Sequence, residues 1–224
     1  MDYRASELAP EILTQSLKPY KPFMPVLHII VILLIAAVLV YGNRVRKLFT
    51  TFIGVNYLLI AFLQNTAATE KYGLGIITGN VVWFSMIGLL WLWDLKVEAT
   101  DYTFHRQPLW RYWLAPLAVL AFWSPDKPWD FNPIYFLTSD APLAFCLMTS
   151  IYLSIFYLLH PRVNLPTLRV TSFIGTLLGI FNIGIGFTIW GSEGLYHGFI
   201  HVPLLVSSLC CFILSIKESR KETF

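Results

Sequence analysis

Seven apolar stretches, separated by loops whose lysine and arginine content alternates between rich and poor, constrain this chain more than any other feature. A bilayer core has no water to satisfy backbone N–H and C=O groups. A long uncharged run must therefore hydrogen-bond internally, and about 20 helical residues match the hydrocarbon thickness. The runs read as membrane-spanning helices over 25–42, 49–68, 73–93, 141–159, 168–190 and 196–216, with a shorter seventh candidate at 109–124. That segment begins after Pro108, carries Arg111 where it can snorkel to the interface, and holds Pro116 as a kink. Composition agrees: 56% of residues are apolar, and 224 residues make a single bundle rather than two membrane domains. The expected fold is all-α, a polytopic integral membrane bundle of seven transmembrane helices.

Charge decides whether 109–124 spans. If it does, one side receives Arg44, Arg46, Lys47, Lys96, Arg106, Arg111, Arg162, Arg169, Lys217, Arg220 and Lys221, and the other only Arg4, Lys18, Lys21, Lys71 and Lys127. The richer side is cytoplasmic by the positive-inside rule, which puts the amino terminus outside and the basic tail 217–224 inside. Residues 1–24 do not read as a cleavable signal. Leu8, Ile12, Leu13 and Leu17 share one helical face there, which suits a helix along the outer interface, a solvated tail being the other reading. The loop 124–140 mixes prolines, acids and the aromatics Trp129, Phe131, Tyr135 and Phe136, which suit the headgroup region. Cys146, Cys210 and Cys211 lie in apolar spans, so no disulfide between outer loops is indicated. Topology accounts for the basic residues, and nucleic acid is not an implied partner; the cell membrane and its lipids are.

The second span begins Thr50-Thr51-Phe52-Ile53-Gly54 and the sixth Thr171-Ser172-Phe173-Ile174-Gly175. The same offset lays the first three spans over the last three in the same direction, a parallel three-plus-one-plus-three repeat. Coincidence within a small alphabet is the alternative. No Asp, Glu, Lys or Arg lies centrally in a span, which disfavours proton relays, voltage sensors and charged ion pathways. Neutral polar groups instead cluster toward the outer half. His28 is near the outer end of span 1, Gln64 and Asn65 are near the outer end of span 2, Asn80 lies about 10 Å into span 3 at about 1.5 Å per residue, and His197 and His201 open span 7. Asn182 sits near the middle of span 6. From these, His28, Asn65, Asn80, Asn182 and His201 are expected to line an outward-facing ligand pocket. Interhelical hydrogen bonding is the plainer reading of each. Gly175, Gly179 and Gly186 with Asn182, and the pair Gly75 and Gly79, read as close helix contacts; they would serve a homo-oligomer or a membrane partner subunit equally.

His197 and His201, at i and i+4, face one way and could bind a metal, with His28 as a third nitrogen and an open position for water. This pair resembles the last helix of the seven-span zinc hydrolase superfamily of alkaline ceramidases and adiponectin receptors, and the resemblance implies a zinc-activated water. Those families also carry a histidine and a serine on the second span and an aspartate early in the third. Here span 2 has no histidine, and Asp94 lies at the far end of span 3. The rhodopsins are excluded, since Lys217 falls at the cytoplasmic end of the last span. The three-plus-one-plus-three layout and N-out orientation resemble the small sugar-facilitator (SWEET) family, which implies a neutral pocket between two triple-helix halves. Pro25 and Pro142 open spans 1 and 5, but spans 2 and 6 contain no proline. The Trp91-Leu92-Trp93 end of span 3 and the Pro-rich loop before span 5 also resemble an uncharacterised family of bacterial and archaeal multi-span proteins. The leading expectation is a non-enzymatic protein that binds a small, largely uncharged or amphiphilic molecule, or moves it by facilitative transport, without a cofactor. The alternatives are a zinc-dependent hydrolase of a lipid-like substrate and a non-catalytic subunit or assembly factor.

Overall fold

The computed structural model describes residues 4–70, 73–105, 107–124, 130, 132–189 and 191–221; the side chains of 4–7, 186–195, 197 and 219–221 are outside that description. The chain is mostly helical. In order come α1 (Arg4–Ser16), α2 (Met24–Tyr41), α3 (Arg46–Leu63), strands β1 (Thr66–Thr69) and β2 (Gly73–Ile76), and α4 (Thr78–Val97). Then follow α5 (Ala115–Trp123), the single turn α6 (Tyr135–Thr138), α7 (Phe145–Leu159), α8 (Leu165–Ile189) and α9 (Gly191–Lys221).

The helical run Leu8–Leu63 and the helices Thr78–Val97, Leu165–Ile185 and Gly198–Glu218 are long and apolar enough to cross a membrane. Tyr135–Leu143 and Phe145–Leu159, bent by 94°, have the length and composition of a fifth when taken as one broken span, the other geometry for such a pair being a re-entrant loop. A straight helix of the first run's 56 residues would be about 84 Å long at about 1.5 Å per residue, more than twice a hydrocarbon core. It breaks at Gly42, whose φ of +53° is readily reached by glycine and where an added Cβ would stand 3.1 Å from the Tyr102 carbonyl oxygen. α2 and α3 lie on either side of that break.

Several expectations need correction. The facing ends of spans 2 and 3 are not helical: β1 and β2 form an antiparallel hairpin pairing Thr66 with Ile76 and Thr69 with Gly73. Threonines and glycines are poor helix formers, and Gly73 at φ +70° turns the chain. Gly75 therefore lies in a strand and receives Ile12 of α1, while a Cβ on Gly79 would meet nothing within 4 Å, so these two are not a helix-contact pair. The amino-terminal segment is helical, with Ile12 and Leu17 buried, but Leu13 is exposed rather than on the shared face. Segment 109–124 opens as a 3-10 turn, Leu109–Leu114, and Pro116 sits in the first turn of α5, where its missing N–H costs nothing, rather than at a kink.

The core is built around α7, 13 of whose 15 residues are buried. Phe145 stacks on Phe84 at 3.9 Å between ring centroids, and Phe156 on Trp91 at 4.4 Å. Tyr152 leans on both Tyr57 and Phe49. Outside this axis, α3 and α4 meet at Gly54 and Gly88, and α8 meets α9 where Gly175 and Gly179 face Ser208 and Leu205. The two near-identical sequence segments thus place their glycines, 54 and 175, in the same role: close approach of the following helix.

Contacts define two ends. At the basic end Arg46 and Lys47 pair with Glu98, Arg162 with Asp101 at 3.0 Å, and Arg111 donates to the His160 carbonyl. At the hairpin end Lys21 pairs with Asp140 at 3.3 Å, and Ser139 lies 3.2 Å from the Phe122 carbonyl. Arg111 and Phe122 flank the segment that runs through α5, so it reaches from one end to the other.

Candidate functional site

The hairpin end holds a break in the chain's regular backbone. A 3-10 turn over Ala141–Leu143 is followed by extended Ala144 before α7 begins, which leaves carbonyls and N–H groups without helical partners. Two side chains of the α3 segment take them up. Asn56 donates to the Pro142 carbonyl at 2.8 Å and accepts the Tyr152 hydroxyl at 2.9 Å; Gln64 accepts the Phe145 N–H at 2.9 Å. Asn56 is 4% exposed, so its two bonds are made away from solvent, where leaving a partner unmade costs about 1–3 kcal/mol. Tyr57 meets Thr149 one turn away at 3.1 Å.

Of the expected ligand residues, the structure brings Asn65 and Asn80 together: the Asn80 amide donates to Asn65 Oδ1 at 2.8 Å. Asn65 in turn donates to the Ile60 and Ala61 carbonyls and closes the end of α3. Asn80 is the third residue of α4, so it lies near the helix start rather than deep within it. His28 sits elsewhere. Its Nδ1 is 2.8 Å from the Met24 carbonyl, its Nε2 is 3.2 Å from Ser139 Oγ, and Phe122 packs edge-on against its ring. Asn182 donates to the Leu178 carbonyl and, at 3.9 Å, to Cys146 Sγ. His201 is buried on α9, and the His197 side chain lies outside the described residues. Among the described residues no three His, Cys, Asp or Glu stand close enough to share a metal.

The chain matches no protein-family model, no curated protein and no solved structure. What the site can do must therefore be read from its atoms. His28 Nδ1 is thus held on a backbone carbonyl while Nε2 faces a serine hydroxyl.

Sequence reasoning missed Asn56, Ser139 and the basic end. Asn56 was visible as an uncharged polar residue in the middle of an apolar run. At the basic end Asp94 is buried, and its Oδ1 accepts the Asn164 amide at 2.8 Å and the Ala99 N–H at 3.2 Å. Asn164 also accepts the Thr167 N–H, capping α8, and donates its own N–H to Thr100 Oγ1. Beyond it, Asp101 collects Asn43, the Thr103 N–H and Arg162. Partial desolvation pushes the Asp101 carboxyl up, but the Thr103 and Asn43 hydrogen bonds and the Arg162 charge outweigh it and hold it at about 2. Beside this network a recess of about 310 Å³ is lined by Tyr41, Gly42, Asn43, Arg44, Thr103 and Phe104. Asn43, Asp94, Asp101 and Asn164 together tie the α2–α3 turn, the α4 end and the α7–α8 turn.

Proposed function

We propose that the chain crosses the cell membrane seven times, amino terminus outside, and binds a small, largely uncharged or amphiphilic molecule at the hairpin end, which faces outward. The observation that carries this reading is the broken helix at Ala141–Phe145, with its freed backbone groups held by Asn56 and Gln64. Non-helical backbone at membrane depth is tolerated only where protein buries it or a cavity meets it, and such breaks recur at the substrate sites of carriers. Apart from the Lys21–Asp140 ion pair, the polar groups around the break are neutral: Asn65 with Asn80, His28 with Ser139, Asn182 beside Cys146. A neutral hydrogen-bonding layer suits a neutral solute or the polar head of an amphiphile better than an ion. Support for the fourth crossing comes from Arg111 and Phe122, whose contacts lie at opposite ends.

The test is uptake of labelled neutral solutes and single-chain amphiphiles by proteoliposomes, beside thermal stabilisation of the purified protein by the same compounds. Replacing Asn80 and Asn182 by alanine abolishes the response on this reading. A response indifferent to both replacements contradicts it. The zinc hydrolase reading has less behind it, because His28 Nε2 faces Ser139 Oγ rather than a second ligating nitrogen.

A further inference from the structure

The contact between α2 and the turn before α7 has the make-up of a nucleophile and its base. His28 Nδ1 faces a carbonyl, Met24, which can only accept; Nδ1 therefore carries the proton. In the neutral ring that leaves the Nε2 lone pair aimed at Ser139 Oγ, 3.2 Å away. The serine hydroxyl has one proton and two acceptors within 3.2 Å, His28 Nε2 and the Phe122 carbonyl. Ala141 N–H approaches the same oxygen at 3.4 Å. Nucleophile, base and a group that sets the base's tautomer are thus in line, as acyl-transfer chemistry requires. Both side chains are 0% exposed, but the cover is thin: the Phe122 ring lies on His28, and Phe136 of α6, which packs on Phe122, is itself exposed. Lys21, on Asp140, and Trp123 are of the residue types that suit the headgroup level.

We propose that Ser139 and His28 are catalytic residues for acyl transfer from a lipid ester, whose carbonyls lie at that depth of a bilayer. This rests on the outward orientation proposed above and names the chemistry of the amphiphile. Ser139 Oγ bonds to the ester carbonyl carbon as its proton passes to His28 Nε2. Collapse breaks the ester C–O bond, and the leaving alcohol takes the proton from the imidazolium. Water then attacks the acyl-serine, giving its proton to His28; the fatty acid departs, and the proton returns to Ser139 Oγ. The displacement that admits the ester is of the Phe122 ring and α6, which cover the pair.

The experiment is treatment of the purified full chain with a fluorophosphonate probe, with the adduct located by mass spectrometry and the rate compared across variants. The expected result is one adduct per chain on Ser139, none in Ser139→Ala, and labelling slowed by at least about 100-fold in His28→Ala. His28→Gln replaces it if the alanine variant does not fold, as judged by its elution from a sizing column. No adduct on the wild type, an adduct on another residue, or an unchanged rate without His28 overturns the proposal. Thermal stabilisation by amphiphiles, measured on the same samples, separates the two readings: stabilisation without an adduct removes the acyl chemistry and leaves the pocket.

Discussion

α2 and α7 look alike as sequence, two apolar runs each opened by a proline, yet the fold uses them in opposite ways. Four of the 18 residues of α2 are buried, Met24, His28, Val31 and Val38, at spacings that make one narrow stripe. In α7 it is 13 of 15. In water such apolar runs would both have to be hidden. In a membrane-embedded chain, lipid and protein interior are equally apolar, so hydrophobicity does not sort one helix from the other. What separates them is hydroxyls and aromatic rings. α7 carries Thr149, Ser150, Tyr152, Ser154 and Tyr157, which need partners, while α2 has only His28 in its interior.

The sharpest way to break this comparison is to cut one large apolar side chain from each helix. Phe156→Ala removes the stack on Trp91 and is expected to cost about 3–5 kcal/mol, whereas Leu33→Ala, at a position 62% exposed, changes stability by about 0.5 kcal/mol or less. Unfolding in a mixed-micelle denaturant series reads both; equal losses would mean that α7 is no more central than α2. The helix pairs give the next contrast. Gly175→Ala drives a Cβ into the Ser208 hydroxyl and is expected to lose about 1–3 kcal/mol, while Gly184→Ala, whose added Cβ meets nothing within 4 Å, is neutral or slightly stabilising in the same assay.

Asn56→Leu strands the Pro142 carbonyl and the Tyr152 hydroxyl and is expected to cost about 1–3 kcal/mol. Removing the Tyr152 hydroxyl as well, as Tyr152→Phe, adds less than its single-variant cost if the two act as a unit. Full additivity would show that they do not.

The smallest effect lies at the basic end. Asp101 has its carboxyl lowered to about 2 from an ordinary value near ~3.9, so its contribution is complete above pH ~4 and is lost as pH falls toward 2. Solvent screens the pair with Arg162, so the loss is modest. A melting-temperature profile between pH 5 and 2 should flatten slightly in Asp101→Asn relative to wild type. An identical profile would show that Asp101 contributes nothing.

The helical runs were legible because backbone groups leave an apolar run no other option. Their ends were not: the β1–β2 hairpin follows from threonines and glycines that a 20-residue window averages away. Asn65 and Asn80 stood out as neutral polar residues on either side of one turn; their bond to each other did not, because Asn80 read as lying well inside a helix that starts only at Thr78. His28 could not be matched to Ser139, because 111 residues separate them and nothing in either segment announces the other. Nor could Asn56 be assigned to the Pro142 carbonyl, since the need arises from a backbone break that the apolar pattern conceals.

The measurement that bears most directly on the account is labelling of single introduced cysteines by a membrane-impermeant thiol reagent in intact cells. Leu109→Cys, at a position 90% exposed at the start of the fourth segment, should react only after the membrane is opened; Leu74→Cys in the hairpin and Asp130→Cys beyond α5 should react at once. Reaction of Leu109→Cys and Asp130→Cys from the same side would contradict the fourth crossing and, with it, the outward placement of the broken helix.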